Sequence, residues 1–322
     1  MKCLVTGANG FIGAHLVRYL LDNGHDVRAI DSSEQTVSQD GISRLETVRI
    51  ARSTTDIAAW HAVCRDIDVI FHLAGRTHSK GVSLPSARPF FFQENLEMTR
   101  ALAEAAIKAR VRRFVFTSSV AVYGTASAAG EAFQEDSPAL PHPHNFYAQS
   151  KLAAEEFLLS GNVCAAMEPV VVRLPLVYGE GAKGNIATLV WLARSGIPLP
   201  LAGIENRRSF INIQNCVDFL HVAAYRPGAG GRILLASDRE DITTPDLIRA
   251  IARELGKPAR LFPVPSWFLK IACYLSRQKA RFEKLVGNFQ IDPSASCAFL
   301  GWSPKVSFSE GIALMCAGNR RA

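Results

Sequence analysis

Tyr147 and Lys151 stand four residues apart in the stretch Asn145-Phe146-Tyr147-Ala148-Gln149-Ser150-Lys151-Leu152-Ala153-Ala154-Glu155. A polar entry followed by helix-forming residues puts both side chains on one helical face, one turn apart, so that the ammonium can sit beside the phenolic oxygen. Free tyrosine has a pKa of about 10, and a fixed cation nearby favours the phenolate and brings that value toward working pH. The chemistry on offer is removal of a proton from a hydroxyl. Tyr and Lys at this spacing are also ordinary amphipathic neighbours on many helices, so the pair needs company before it counts as a base.

That company begins at the amino terminus. Lys2 to Thr6 reads as a short apolar strand ending in Gly7-Ala8-Asn9-Gly10-Phe11-Ile12-Gly13, after which Ile12, Leu16, Val17, Leu20 and Leu21 recur at helical spacing. Strand, glycine turn and helix are what a dinucleotide pyrophosphate requires: Gly7 for a tight turn, Gly10 for close backbone approach, Gly13 for packing, and a helix N-terminus for the negative charge. Asp26 to Asp31 reads as a second strand ending in an acid, 18 residues after Gly13. A carboxylate there accepts both ribose hydroxyls and repels a 2′-phosphate, which favours NAD over NADP.

The elements that must position these groups follow in order. Val69 to Gly75 is a nearly all-apolar run suited to a parallel strand buried on both faces, with His72 as a packed residue at its end. Leu96 to Ala109 is an alanine-rich helix, and Arg113 to Ser119 is a strand that places Ser118 and Ser119 at its carboxyl end, where open α/β sheets bind ligands. Glu131 to His144, with three prolines, is an extended loop. Val170 to Leu174 is another buried strand and Ile186 to Ser195 a helix. Arg207 to Ile213 reads as a short strand, Asn215 to Tyr225 as a helix, and Thr244 before Pro245 as a helix N-cap. Ser266 to Phe282 is amphipathic and is expected to pack within the smaller lobe. No internal repeat stands out. The fold class expected is α/β, a Rossmann doubly wound parallel sheet with a smaller C-terminal substrate-binding lobe. Residues 1–175 are expected to form the NAD-binding domain, rejoined by 208–236, and 176–207 with 237–322 the second, substrate-binding lobe.

Bulk properties narrow the partners. The 322 residues are 48% hydrophobic, yet no run approaches the roughly 18 to 20 apolar residues of a membrane span. The start of the chain has no apolar signal segment, and seven scattered cysteines without CxxC spacing suit a reducing compartment, so a cytoplasmic location is expected. A net charge of +7 suits an anionic partner, but Lys and Arg are dispersed and form no basic stripe among aromatics. A small anionic ligand fits this better than nucleic acid. No metal site is expected.

Together the Thr6-Gly7-x-x-Gly10-Phe11-Ile12-Gly13 opening, Phe71-His72-Leu73-Ala74, Ser118-Ser119-x-x-Val122-Tyr123-Gly124, Tyr147-x-x-x-Lys151, Arg173-x-Pro175-x-Val177-Tyr178-Gly179, Arg208-Ser209-Phe210-Ile211 and Leu300-Gly301-Trp302-x-Pro304 carry a resemblance over nearly the whole chain. The sequence resembles the extended short-chain dehydrogenase/reductases, in their NAD-dependent nucleotide-sugar epimerase/dehydratase branch. The resemblance implies catalysis by Ser119, Tyr147 and Lys151, and cofactor contacts from Gly7, Gly10, Phe11, Ile12, Gly13, Asp31, Leu73, Ala74, Ser118, Tyr147 and Lys151. It also implies a UDP-sugar substrate held by Ser119, Lys183, Asn185 and Arg208, and a homodimer formed through the helices at Leu96 to Ala109 and Tyr147 to Ser160. Asn95 matches a position that steadies local backbone and substrate in these proteins; by residue type it also reads as a helix N-cap.

Departures from the family pattern bear on the reaction. Val120 and Ala121 stand where 4,6-dehydratases carry an acidic pair, which argues against dehydration. Arg52-Ser53 replaces the usual Gly-Asp after the third strand, and Leu176 stands where galactose epimerases commonly have asparagine. The runs Arg173 to Asn185 and Asn206 to Ser209 look like a bacterial surface-polysaccharide subgroup. Its members are labelled UDP-glucose 4-epimerases or resemble reductases that form UDP-N-acetylquinovosamine from the UDP-4-keto-6-deoxy sugar. Oxidation and reduction at C4 of a UDP-hexose or UDP-N-acetylhexosamine is common to both outcomes. A non-catalytic NAD-sensing scaffold is the alternative of another class, and such scaffolds tend to lose the tyrosine or lysine that this chain keeps.

Overall fold

The computed structural model describes residues 1–32, 43–77, 85–265 and 286–318. Seven parallel strands make the main sheet: β1 (Lys2–Thr6), β2 (Asp26–Asp31), β3 (Leu45–Arg49), β4 (Val69–His72), β5 (Arg113–Ser119), β6 (Glu168–Leu174) and, after two strands that lie elsewhere, β9 (Arg232–Leu235). Their order is β3-β2-β1-β4-β5-β6-β9, so the winding reverses between β1 and β4 and opens a crevice at their carboxyl ends. Thr6 pairs with Ile30 and His72, and His72 with Phe116, which brings the ends of four strands to one edge.

Two-residue alternation sends successive side chains of each strand to opposite helical layers. Cys3 and Val5 enter one core with Leu16, Val17 and Leu20 of α1 (Phe11–Asp22) and Val217 and Leu220 of α8 (Ile213–Tyr225). Leu4, Phe114 and Phe116 enter the other with Trp60 of α2 (Ile57–Cys64), Leu102 of α4 (Met98–Lys108), and Ala154 and Leu158 of α5 (Phe146–Leu158). The short helices α3 (Arg88–Phe92) and α6 (Gly161–Ala166) lie in the chain before α4 and after α5.

A second sheet, ordered β10-β8-β7, sets β8 (Arg208–Asn212) between β7 (Leu176–Tyr178), parallel to it, and β10 (Asp241–Ile242), antiparallel. It shares a core with α7 (Asn185–Ser195), α9 (Thr244–Glu254) and the helix Phe308–Gly318 through Phe210, Leu189, Ile248 and Ile312. The return to the main sheet therefore starts at Ile213, with α8 and then β9, and not at 208 as the sequence suggested. β8 is kept in the second sheet by Ser209, whose hydroxyl donates to Asp241 at 2.5 Å and accepts from Ile291 N at 3.0 Å.

Three other expectations shift. The helix placed at Leu96 to Ala109 starts earlier: Pro89 fits the first turn of α3, and a π-helical segment, Gln93–Glu97, joins α3 to α4. α8 starts two residues early because Asn212 caps it, accepting from Gln214 N at 2.9 Å. The cap of α9 is Thr243 and not Thr244, because the Thr243 hydroxyl accepts from Asp246 N at 3.1 Å. The amphipathic stretch Ser266 to Phe282 lies outside the described residues. Among the described residues no helix is long and apolar enough to cross a membrane, no cluster of three metal-ligating side chains occurs, and every cysteine is a free thiol.

Candidate active site

The glycine turn is built so that backbone, not side chain, faces the crevice. Gly7 has φ +69° and accepts from Gly10 N at 2.9 Å. A Cβ on Gly13 would lie 2.0 Å from the Gly7 carbonyl oxygen, and one on Gly7 would lie 2.9 Å from Ala74 N, so neither position has room for a side chain. α1 follows with Gly10 at its N-cap and no side-chain cap hydrogen bond. At the end of β2, Asp31 accepts from Asn9 N at 3.0 Å and so braces the same turn. Phe11, Ile12, Leu73 and Ala74 are half-buried around it. A cradle that a Cβ would fill, a helix N-terminus with no side-chain cap and an adjacent carboxylate fit the pyrophosphate and ribose of NAD.

Two strands away, β5 ends in Ser119, whose hydroxyl accepts from Ala121 N at 3.2 Å and caps the turn Val120–Tyr123. Across from it α5 starts where Asn145 accepts from Ala148 N at 3.1 Å, which sets the helical phase of Tyr147 and Lys151. Tyr147 is half-buried and Lys151 is 2% exposed. The Lys151 ammonium donates to the Thr117 carbonyl at 2.9 Å and lies 4.4 Å over the Phe116 ring. Burial pushes Lys151 down to about 8, opposed by the Glu155 carboxylate.

For Tyr147, burial holds the phenol above its ordinary value, the Ser119 hydroxyl lowers it, and Glu155 raises it further. Sequence reasoning expected Lys151 to bring the phenol down. Here the ammonium is anchored on the Thr117 carbonyl, and Ser119 is the group that favours the phenolate.

Beneath the pair lies a network that sequence reasoning did not assign. Glu155, 1% exposed, accepts from the Ser118 hydroxyl and from Arg173, whose Nε is 3.2 Å from both carboxylate oxygens and whose Nη2 is 2.6 Å from Oε2. The Ser118 hydroxyl is thus committed to Glu155. The available signal was an acid one turn beyond Lys151 on the same face of a helix whose buried residues are otherwise mostly small or apolar. On the other flank, His72 is fully buried with Nδ1 2.7 Å from the Thr6 hydroxyl and Nε2 2.9 Å from the Thr99 hydroxyl. Burial first, and the Lys151 charge second, push it down to about 3, so it is a neutral packing residue.

Asn95 is not an N-cap. It lies inside the π-helical segment, fully buried, and its amide accepts from Arg76 N at 2.8 Å and donates to Arg76 O at 3.1 Å and Ser150 Oγ at 2.9 Å. With both amide hydrogens used, it steadies the backbone between β4 and α5 instead of presenting itself to a substrate. Its neighbour Glu94, also buried, pairs with Arg76 and with Arg52, the residue standing where the family pattern has glycine.

The residues expected to hold a substrate are less enclosed. Lys183 and Asn185 are exposed on either side of Gly184, the N-cap of α7, with Lys183 on the turn before the helix and Asn185 its first residue. Arg208 is half-buried on β8, with Nη1 3.1 Å from the Gly287 carbonyl and its guanidinium 5.9 Å from the Phe289 ring centre.

A doubly wound sheet with a side-chain-free glycine cradle at the end of β1, and Ser119 at the end of β5 facing Tyr147 and Lys151 of α5, has the layout of a dinucleotide-dependent oxidoreduction site. The model of the NAD dependent epimerase/dehydratase family matches residues 3–235, and the chain belongs to that family. It is 33% identical to a UDP-glucose 4-epimerase of Vibrio cholerae over 98% of this chain and 96% of that one. It is 31% identical to a UDP-glucose 4-epimerase of Mycolicibacterium smegmatis over 97% and 96%. The structure of a Thermus thermophilus UDP-glucose 4-epimerase in complex with NAD superposes with a TM-score of 0.79 at 25% identity, covering all of both chains. NAD is the cofactor of this chain.

Proposed function

We propose that this protein is a UDP-sugar 4-epimerase, interconverting UDP-hexoses or UDP-N-acetylhexosamines that differ at C4, with NAD retained through the cycle. The observation that carries this reading is the placement of Ser119 and Tyr147 together at the carboxyl end of β5, beside a glycine turn with no room for side chains. Two relatives above 30% identity bear the name UDP-glucose 4-epimerase, which supports the substrate class.

In this reading NAD supplies reversible acceptance of hydride. Tyr147 takes the proton from the C4 hydroxyl and later returns it to the C4 oxygen, while Ser119 hydrogen-bonds that oxygen and shares the charge that develops on it. Lys151, anchored on the Thr117 carbonyl, holds the nicotinamide ribose, and Asp31 the adenosine ribose. Arg208 and Lys183 grip the diphosphate, and Asn185 borders the same turn. The domain reading that goes with this assigns the main sheet and its helices to NAD, and residues 176–212 with those after 236 to the sugar nucleotide. The reading includes a cytoplasmic homodimer paired through α4 and α5.

The test is turnover of UDP-glucose and UDP-N-acetylglucosamine by the pure protein without added cofactor, beside the Tyr147→Phe variant. Wild-type epimerisation and a loss of about 10²- to 10⁴-fold in kcat for the variant are expected. Full activity in Tyr147→Phe removes the tyrosine from the chemistry. Product formed only from a UDP-4-keto-6-deoxy sugar with added NADH replaces the epimerase by a reductase.

A further inference from the structure

Glu155 has no part in the steps above, yet it lies one helical turn beyond Lys151, 1% exposed. Arg173 from β6 clasps it with two nitrogens, Ser118 donates to it from β5, and Arg173 in turn lies 4.7 Å over the Tyr123 ring. A buried ion pair is a weak source of stability, since well-packed apolar residues of similar volume often serve as well or better. Its place next to Lys151 asks for another reason.

That reason is the ammonium. Lys151 is buried against the Thr117 carbonyl and the Phe116 ring, and neither carries a full charge. A buried amine without a counter-charge loses its proton. His72, facing it from β4, is neutral, and Asn95 is an amide. The full negative charge acting on Lys151 comes from Glu155, itself paired with Arg173.

We propose that Glu155 is a positioning residue: locked by Arg173 and Ser118, its carboxylate keeps the buried Lys151 ammonium charged and holds the Tyr147 and Lys151 pair in its working protonation state. The proposal rests on the reading of Tyr147 and Lys151 as base and partner. The directions at both groups agree with it, because Glu155 raises Lys151 against the effect of burial and raises Tyr147 as well. At the other end of the Arg173 network, Glu135 acts on Tyr123, and Tyr123 on Arg173.

Glu155→Gln keeps an acceptor for Ser118 and Arg173 and removes the charge. Should the Arg173 left behind unfold this variant, Glu155→Gln with Arg173→Gln leaves no unpaired charge where the ion pair stood, and the same shift, smaller, is expected. The first readout needs no substrate. Phenolate absorbance is titrated in each background with and without Tyr147→Phe, and folding is followed by circular dichroism over the same range. The Tyr147 midpoint is expected to fall by about 0.5 to 1 pH unit on loss of Glu155. The second readout is the pH profile of kcat/KM, whose alkaline limb moves to lower pH by a similar amount as Lys151 discharges earlier. A uniform loss of activity at every pH with an unmoved Tyr147 midpoint makes the pair purely structural and overturns the proposal. If the wild type turns over no UDP-sugar, the substrate reading fails while the phenolate titration still decides the role of Glu155.

Discussion

The two sides of the cleft are made in different ways. At the glycine turn, the backbone is packed until no side chain fits, Gly7 against Ala74 and Gly13 against Gly7, and the buried His72 between Thr6 and Thr99 braces the strand ends. On the proposed sugar side, Lys183 and Asn185 are exposed around the turn that opens α7, and Arg208 is only half enclosed. The first design leaves the backbone one geometry; on the proposed reading, the second can exchange side chains without disturbing the fold. Substitutions should therefore cost structure and binding together on one side and binding alone on the other.

The sharpest break of that contrast is Gly13→Ala. One added carbon would sit 2.0 Å from a backbone oxygen, which cannot swing aside as a side-chain tip can. Overpacking of this kind costs about 1 to 3 kcal/mol or more, and the turn must open to relieve it. NAD binding measured by calorimetry is expected to weaken by at least about 100-fold, or ~2.7 kcal/mol. A lower melting temperature should accompany it. A variant that binds NAD normally would show that the turn is looser than its packing implies.

A smaller effect tests the buried brace. The folded-state value of His72, about 3, lies below the ordinary histidine value of about 6.5 in the unfolded chain. The unfolded chain therefore takes up a proton that the folded one refuses. The stability due to the neutral ring is fully present above about pH 6.5 and is lost as pH falls from there toward about 3. By pH 5 this amounts to about 2 kcal/mol for this one group. Urea midpoints between pH 7 and 5 should fall accordingly, and His72→Gln should flatten the slope while lowering stability at pH 7. An unchanged slope in His72→Gln would assign the acid sensitivity to other groups.

What could be read from the chain divides along the same line. The glycine turn, the place of Asp31 at the end of β2 and the strand ending in Ser118 and Ser119 are legible because backbone geometry and strand order leave marks in residue type and spacing. The placing of Tyr147 and Lys151 one turn apart on a helix is legible from spacing in the same way. Glu155 was not, although it stands in plain view on the same helical face, because its partners Ser118 and Arg173 come from two strands that only the sheet order brings beneath α5. The N-cap reading of Asn95 fails because of a π-helical segment that no periodicity announces, and the placing of β8 fails because a strand of five residues carries no sign of which sheet it will join. The direction of the Tyr147 shift followed from burial, which a sequence does not state.

The smallest effect is expected at Lys183, and it separates the two designs most directly. The residue is exposed on the turn before α7, so its removal leaves no cavity and no unpaired buried group. If it meets the substrate diphosphate, Lys183→Ala gives up one charge contact made in water, worth about 1 kcal/mol after screening. KM should rise by about 3- to 10-fold with kcat and melting temperature unchanged. The rise should shrink as salt is added, because the ions that screen the contact weaken it in the wild type as well. A fall in kcat at constant KM would mean that Lys183 acts in the transition state alone, and would place the sugar side under the same exacting geometry as the nucleotide side.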